Sequence, residues 1–582
     1  MSVLEQRYRW KNKQLREHVE VLNGKISPTM VLKNANYLHS ILKKWVSGHI
    51  WIYNDRIVYA GEKLPKSFDS CETVDCSDYY LVPGYIEPHV HPFQLYNPHS
   101  FAEYASQTGT TTFINDNLML FLELRKKKAF SLLESLRKLP VTMYWWTRFD
   151  SQTEMRDEEV TFSHGEVKSW LEHDAVVQGG ELTAWPKLLQ GDDMLLHWIQ
   201  EAKRLNKVIE GHLPGASEKT LAKLNLLGID GDHEAMTGED VYKRLSQGLT
   251  TTLRHSSIRP DLPQLIRGIK EQGIDQFDLM MYTTDGSTPE FYEEGVLDRL
   301  ISIAIEEGIP LIDAYLMASY NVARYYSMTD LHGVIATGRI ANINFLKAKD
   351  QPTPVSVISK GKWIKKEEST TAFPPQLDWS KFGMPSLDLK WNLTMDDLQF
   401  SMPFGIEMVN DVITKPYSVN IDASGDVLQD GYDENFLMLA DKHGEWRIST
   451  ILKGFSTDVQ GFASSFSNTG DIIVIGKSKQ EMLHAFNRMK EIGGGIVLTE
   501  NERVLHEIEL PVAGLMSNKD MKAVIQEEKH LKKLLFDRGY QFNDPIYTLL
   551  FLQSTHLPYI RITQQGMYDV MKKTVLFPSI MR

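Results

Sequence analysis

The feature that most narrows the fold is an alternation of short apolar strands and amphipathic helices running from residue 83 to residue 333. Candidate strands fall at 84–91, 111–116, 141–146, 176–181, 208–212, 229–233, 250–254 and 279–285. Helical stretches such as Ala129 to Lys138, Asp193 to Leu205, Ser217 to Leu227 and Gly238 to Gln247 separate most of them. Repetition of this kind builds parallel βαβ units, and eight of them predict a closed (β/α)8 TIM barrel. A doubly wound open sheet satisfies the same periodicity and stays open as the structural alternative.

The flanks read differently. Residues 1–35 suggest a helical lead-in with Leu4, Tyr8, Leu15, Val19 and Leu22 as its apolar positions. Residues 48–63 suggest a β-hairpin turning at Asn54-Asp55, and the same texture returns at Ile343 to Leu346 and Val357 to Trp363. Segments 36–82 and 334–368 are therefore expected to form a composite β-sandwich beside the barrel at 83–333. A connector dotted with Pro and Trp covers 369–398. Residues 399–582, with Gly493-Gly494-Gly495 and a charged helix near 518–538, read as a separate α+β domain. The expected class is α/β: a TIM barrel with a small flanking β-sandwich and an added C-terminal α+β domain.

Composition excludes several functions. A net charge of −13 argues against nucleic-acid or anionic-membrane binding, which needs a basic face. The run Lys126-Lys127-Lys128 reads as a solvated helix face. Two cysteines, Cys71 and Cys76, cannot build a disulfide scaffold or, alone, a structural zinc site. No apolar run is long enough to span a bilayer, and Met1 to Lys25 lacks a signal-peptide core. The cytoplasm is the expected compartment and a homodimer the expected assembly.

The first barrel strand ends in His89-Val90-His91, and alternate strand residues share a face, so the two imidazoles suit one divalent ion. Later strand ends add Glu181, His212, His233 and Asp285. Alone, each has a plainer reading: a rim histidine, an exposed loop acid, a helix N-cap. In a barrel, however, the C-terminal strand ends surround one cavity. Four histidines and two carboxylates are enough for two divalent cations. His89, His91 and Asp285 would hold one, His212 and His233 the other, and Glu181 would bridge them. Such a pair lowers the pKa of a water between them and supplies hydroxide near neutral pH. Asp285 could carry a proton from that water to a leaving group. Imidazole and carboxylate ligands suit zinc, manganese or iron.

These motifs resemble the amidohydrolase superfamily. Its opening Pro-Gly-x-Ile-Asp-x-His-x-His is met by Pro83 to His91, with Glu87 replacing the Asp. Within the superfamily the chain resembles the adenine deaminases. Gly211-His212-Leu213-Pro214-Gly215, Asp232-His233-Glu234, Glu491 to Gly495, Pro511 to Ser517 and Arg561-Ile562-Thr563 with Gly566 carry that likeness. The resemblance implies hydrolysis of adenine to hypoxanthine and ammonia in purine salvage, by attack of a hydroxide generated at the metal on C6. It favours manganese or iron, and a glutamate as the bridging ligand. It leaves Glu234 either protonating a ring nitrogen or orienting His233, and makes Arg254 and Asp116 candidates for substrate contact, Arg254 alternatively supporting the rim.

Three family motifs are altered. Asp116-Asn117-Leu118-Met119 keeps the Asp of Asp-Pro-His-Glu and loses the rest. Asp285 is followed by Gly286-Ser287-Thr288 instead of Asp-Arg-His, and Ser464 to Asp471 lacks the family's histidines. Polar substrate contacts carry the strongest discrimination, so these changes bear on substrate more than on reaction class. Two alternatives follow: hydrolysis of another amino-heterocycle or cyclic amide, and a catalytically silent metal-binding homologue.

Overall fold

The computed structural model describes residues 9–371, 373–429 and 431–582. A helix, Asn12–Leu22, leads into β1 (Met30–His39), β2 (Lys44–Tyr53), β3 (Arg56–Gly61), β4 (Glu72–Asp75) and β5 (Tyr80–Pro83). The expected helical lead-in is thus corrected. The helix stops at Leu22, and β1 begins inside the segment read as helical because Met30-Val31-Leu32 pairs with β2. Its inward positions are His18 and Val21, while Leu15, Val19 and Leu22 are exposed. Leu4 and Tyr8 lie outside the described residues.

The barrel strands are β6 (Tyr85–Val90), β7 (Thr110–Asn115), β8 (Thr142–Thr147), β9 (Val176–Leu182), β10 (Val208–Gly211), β11 (Gly231–Asp232), β12 (Thr250–Arg254) and β13 (Met280–Thr283). Each pairs in parallel with the next, in chain order. Capped helices return the chain between strands. Asp192, Ser217 and Thr237 each accept backbone N–H bonds at a helix start, satisfying donors the helix cannot.

The open-sheet alternative fails where β13 returns beside β6. The junction is sewn by side chains: the Thr283 hydroxyl lies 2.7 Å from both the His89 carbonyl and Glu87 Oε1, with one proton for the two contacts. The main chain and hydroxyl of Thr284 donate to Glu87 Oε2 at 3.1 and 3.0 Å. Glu87 is fully buried, and burial raises its carboxyl to about 7. Its acceptors, on the strand that carries the histidines, draw the first and last barrel strands together.

After the barrel, β14 (Ile343–Leu346), β15 (Ser356–Ser359), β16 (Lys362–Lys366) and β17 (Ser369–Thr370) join β1–β5 in one nine-stranded sheet, β14 pairing antiparallel with β5. Segments on both sides of the barrel therefore share a core that includes Leu32, Ile50, Leu81, Ile343 and Ile358. The C-terminal region adds a second nine-stranded sheet, the helices Lys479–Glu491, Met521–Phe536 and Pro545–Phe551, and a three-stranded sheet. Its apolar core includes Leu95 of the barrel, so the C-terminal layer is seated on the loops that follow the barrel strands. No helix among the described residues is long and apolar enough to cross a membrane.

Candidate active site

The strand ends bring all six expected ligands together. His89 and His91 present Nε2 to Asp285 Oδ1 at 3.3 Å each, and to Glu181 Oε2 at 4.0 and 3.8 Å. On the other side, Glu181 Oε1 lies 2.7 Å from His212 Nδ1 and 3.4 Å from His233 Nε2. One carboxylate thus turns its two oxygens to two histidine pairs. Atoms sharing an ion through bonds of about 2.1 Å sit roughly 3 to 3.5 Å apart, close to the spacing seen here. Three overlapping groups, His89–His91–Glu181, His89–His233–Asp285 and Glu181–His212–His233, have the spacing to hold a cation.

Unmet bonding supports the same reading. His89 Nε2 and Asp285 Oδ1 are buried and make no hydrogen bond within the protein. Buried polar atoms are nearly always satisfied, so two orphans facing each other fit a cation between them.

Local backbone geometry places these atoms. Gly180 has φ of +76°, and a Cβ there would lie 2.6 Å from the Glu210 carbonyl. The tight kink turns Glu181 inward at the strand end. Asp285 is itself left-handed, with φ of +53°, and is followed by Gly286 at +61°. A Cβ on Gly286 would lie 2.4 Å from His91 N. The polar residue expected after Asp285 cannot stand where the chain passes against the His91 backbone.

Arg148, which follows β8, is fully buried and organises one side of the site. Its Nη2 lies 2.9 Å from Glu181 Oε2, and its Nε donates to Asp116 Oδ1 at 2.9 Å. Asp116 Oδ2 in turn meets His91 Nδ1 at 2.7 Å. Burial favours a neutral Asp116, but Arg148 and His91 overcome it and bring the carboxyl down to about 2. The expectation that Asp116 contacts substrate is corrected: it is wholly buried behind His91 and does not line the cavity. A carboxylate there fixes the ring of His91, as such partners do for histidines that hold a metal.

Opposite, Arg254 joins Glu234 Oε1 at 2.5 Å to Asp285 Oδ2 at 2.9 Å, and Arg259 holds Glu234 Oε2 at 2.7 Å. Burial works against the Glu234 anion, yet His212 and the two guanidinium groups bring it to about 2. Glu234 is therefore held as a carboxylate beside His212. Burial likewise opposes the charge on Asp285 and Glu181, and Arg254 and Arg148 respectively carry both well below the usual range.

The ligands open into a cavity of about 400 Å³. Its floor is the barrel, including Arg148, Gln152, Arg254 and Arg259. Its roof is the C-terminal region, with Val412, Asn468, Tyr547, Leu550, Phe551 and His556. Of the altered segments, Leu118, Met119 and Asn468 line this cavity, whereas Ser287 and Thr288 do not. Tyr547 donates to the Gly286 carbonyl at 3.0 Å, and Thr288 donates to Asp544 at 2.9 Å.

Sequence reasoning missed Arg148, Gln152, Arg259 and His556. Arg148 carried a usable signal, since it directly follows a barrel strand. His556 carried none, because it reaches the site from another domain.

The comparisons agree with this geometry. A model described as "Amidohydrolase family" matches residues 80–364, and one described as "Adenine deaminase C-terminal domain" matches residues 411–574. A protein named "Putative adenine deaminase" from Halalkalibacterium halodurans is 58% identical over 99% of this chain and 100% of its own length. An "Adenine deaminase" from Kosmotoga olearia is 27% identical over 95% and 96%. A solved structure of beta-aspartyl dipeptidase from Fervidobacterium islandicum superposes with a TM-score of 0.47 at 18% identity, over 59% of this chain and 98% of that one. Fold and site thus define an amidohydrolase, a metal-dependent class. Within that class, the chain belongs to the adenine deaminase family.

Proposed function

We propose that this protein hydrolyses adenine to hypoxanthine and ammonia, in purine salvage, with two divalent ions at the strand ends. The observation that carries the reading is Glu181, whose two oxygens face two histidine pairs on the floor of the cavity. His89, His91 and Asp285 would hold one ion, and His212 and His233 the other, with Glu181 serving both. Manganese or iron is preferred to zinc. When bound, such a pair supplies a strong nucleophile from water near neutral pH and offsets developing negative charge.

The chain's own groups would do the rest. Asp285, held anionic by Arg254, would accept the proton of the attacking water and hand it to the departing amine. The C6–O bond forms, the C6–N bond breaks, and ammonia leaves. Arg254 and Arg259 keep Glu234 charged beside His212 and His233, where it orients the histidines. Asp116 and Arg148 hold His91 and Glu181 from behind.

The test is ammonia release from adenine by manganese-reconstituted protein, with Glu181→Gln alongside. Loss of a bridging ligand should cost on the order of 10³-fold in rate, about 4 kcal/mol of barrier, and lower the bound metal per chain. A Gln variant as active and as metal-rich as the parent refutes the bridging role. Apolar Leu118 and Met119 in the cavity wall favour one second reading, an amino-heterocycle or cyclic amide other than adenine. Product from such a compound with none from adenine would establish it.

A further inference from the structure

Most of the polar groups on the cavity floor are committed to one another. Arg254 and Arg259 serve Glu234, Arg148 serves Asp116 and Glu181, and Gln152 donates to Glu181 Oε2 at 3.2 Å. Five buried side-chain atoms of the described cavity lining have no partner in the protein: Gln94 Oε1, Arg148 Nη1, Asp285 Oδ1, Asn468 Nδ2 and His556 Nδ1. Asp285 Oδ1 faces the ligand histidines, and Arg148 belongs to a guanidinium already engaged. The remaining three are neutral amides and an imidazole, and two of them come from the C-terminal region.

Those two are held ready. The Asn468 main chain donates to Gln553 Oε1 at 3.1 Å, while Gln553 Nε2 donates to Thr469 at 2.9 Å. Thr153 of the barrel binds the Gln553 carbonyl at 2.6 Å, and the Gln152 carbonyl accepts from Thr555 N at 2.9 Å and also engages the His556 ring. His556 meets the ligand His212 edge-on, with centroids 5.2 Å apart. Asn468 occupies the place where the resemblance puts a histidine, and His556 brings an imidazole to the same roof from another loop.

We propose that Asn468 and His556, with Gln94 opposite, form the recognition edge for the substrate heterocycle and decide which base the metal centre receives. Amides and neutral imidazoles both donate and accept, matching the alternating ring nitrogens and amino groups of an aminopurine. Buried polar atoms left unmatched penalise a ligand lacking the complementary group more than they reward the right one, so selectivity is set here. The inference rests on the deaminase reading above.

Its test compares the metal-loaded parent with His556→Ala, Asn468→Ala and His556→Asn, the last keeping a donor and acceptor near the position of Nδ1. Adenine and 2,6-diaminopurine are the substrates, and equilibrium binding of hypoxanthine is measured in parallel with metal content and Tm. The expected result is a KM for adenine raised at least about 10-fold in both Ala variants, with kcat within about 3-fold. Metal content should be unchanged, discrimination between the two purines reduced, and His556→Asn partly restored. Asn468 sits on a different loop, so a folding failure at one position leaves the other informative. An active parent whose folded variants keep its KM, hypoxanthine affinity and selectivity overturns the inference alone. A parent that neither deaminates nor binds purines overturns the reading beneath it as well.

Discussion

Two sets of carboxyl groups, one at the barrel's strand ends beside buried arginines and one in the C-terminal region, are treated in opposite ways. On the barrel floor, Glu181 and Asp285 lie well below their ordinary range, and Asp116 and Glu234 are near 2, because Arg148, Arg254 and Arg259 overcome the cost of burial. At Glu528 and Asp471 of the C-terminal region burial prevails, pushing them up to about 7 and about 6. The floor is built to keep anions ready for cations, at the expense of burying arginines beside them. The roof offers a cavity surface of apolar and mostly neutral polar groups. On the proposed reading, the chemistry sits on the floor, while the selective contacts are shared between Gln94 of the barrel and Asn468 and His556 of the roof.

The largest effect should come from breaking the floor at Arg148. Arg148→Met leaves Asp116 and Glu181 as neighbouring buried anions without their shared cation. Removing one partner of such a network typically costs about 3–5 kcal/mol of stability. Misplacing the partners of metal ligands typically costs a further 10–100-fold in metal affinity. Chelator competition and thermal melts of parent and variant measure both. Retention of metal affinity in the variant would show that the barrel fixes Glu181 and His91 without help, and the contrast with the roof would lose its cause.

Much of the floor was legible because its candidate ligands fall at strand ends, where a period-two pattern and the barrel's geometry fix direction. His89, His91, Glu181, His212, His233 and Asp285 could all be found that way. Asp116 was found and misassigned: spacing puts it at a strand end, but only the paired position of Arg148 turns it away from the cavity. The roof was illegible for a different reason. Asn468, Tyr547 and His556 lie on loops and a short helix whose approach depends on how two domains dock, and no local periodicity encodes docking. The helical reading of residues 30–35 failed because pairing with β2 overrides local propensity.

A smaller effect is expected where the roof touches the floor. The Tyr547 hydroxyl donates to the Gly286 carbonyl, beside the left-handed Asp285. Tyr547→Phe removes one hydrogen bond, about 0.5–1.5 kcal/mol, and should lower kcat by several-fold through a less fixed Asp285. KM for the base should hardly move, since the ring remains in the cavity wall. A change confined to KM would make Tyr547 a substrate contact and move it to the selective half of the comparison.

The smallest effect on turnover, and the sharpest on electrostatics, belongs to Glu528. It is fully buried and accepts the Glu290 main-chain N–H at 2.6 Å, while Lys532 is shared among Glu290, Glu528 and Asp544 at 3.0, 3.0 and 4.0 Å. Burial comes first in raising its carboxyl to about 7; the Asp544 charge adds to it and Lys532 opposes it. The folded state therefore binds the proton more tightly than the unfolded chain does. Between pH of about 4.5 and 7 the native form holds more protons, so stability contributed by this group falls as pH rises through that window. Glu528→Gln mimics the protonated form and keeps an oxygen for the Glu290 N–H. Its Tm should match the parent near pH 4.5, exceed it at pH 8, and leave kcat unchanged. A Tm gap that does not widen over that range would mean Lys532 already pays for the anion, and that the roof handles charge as the floor does.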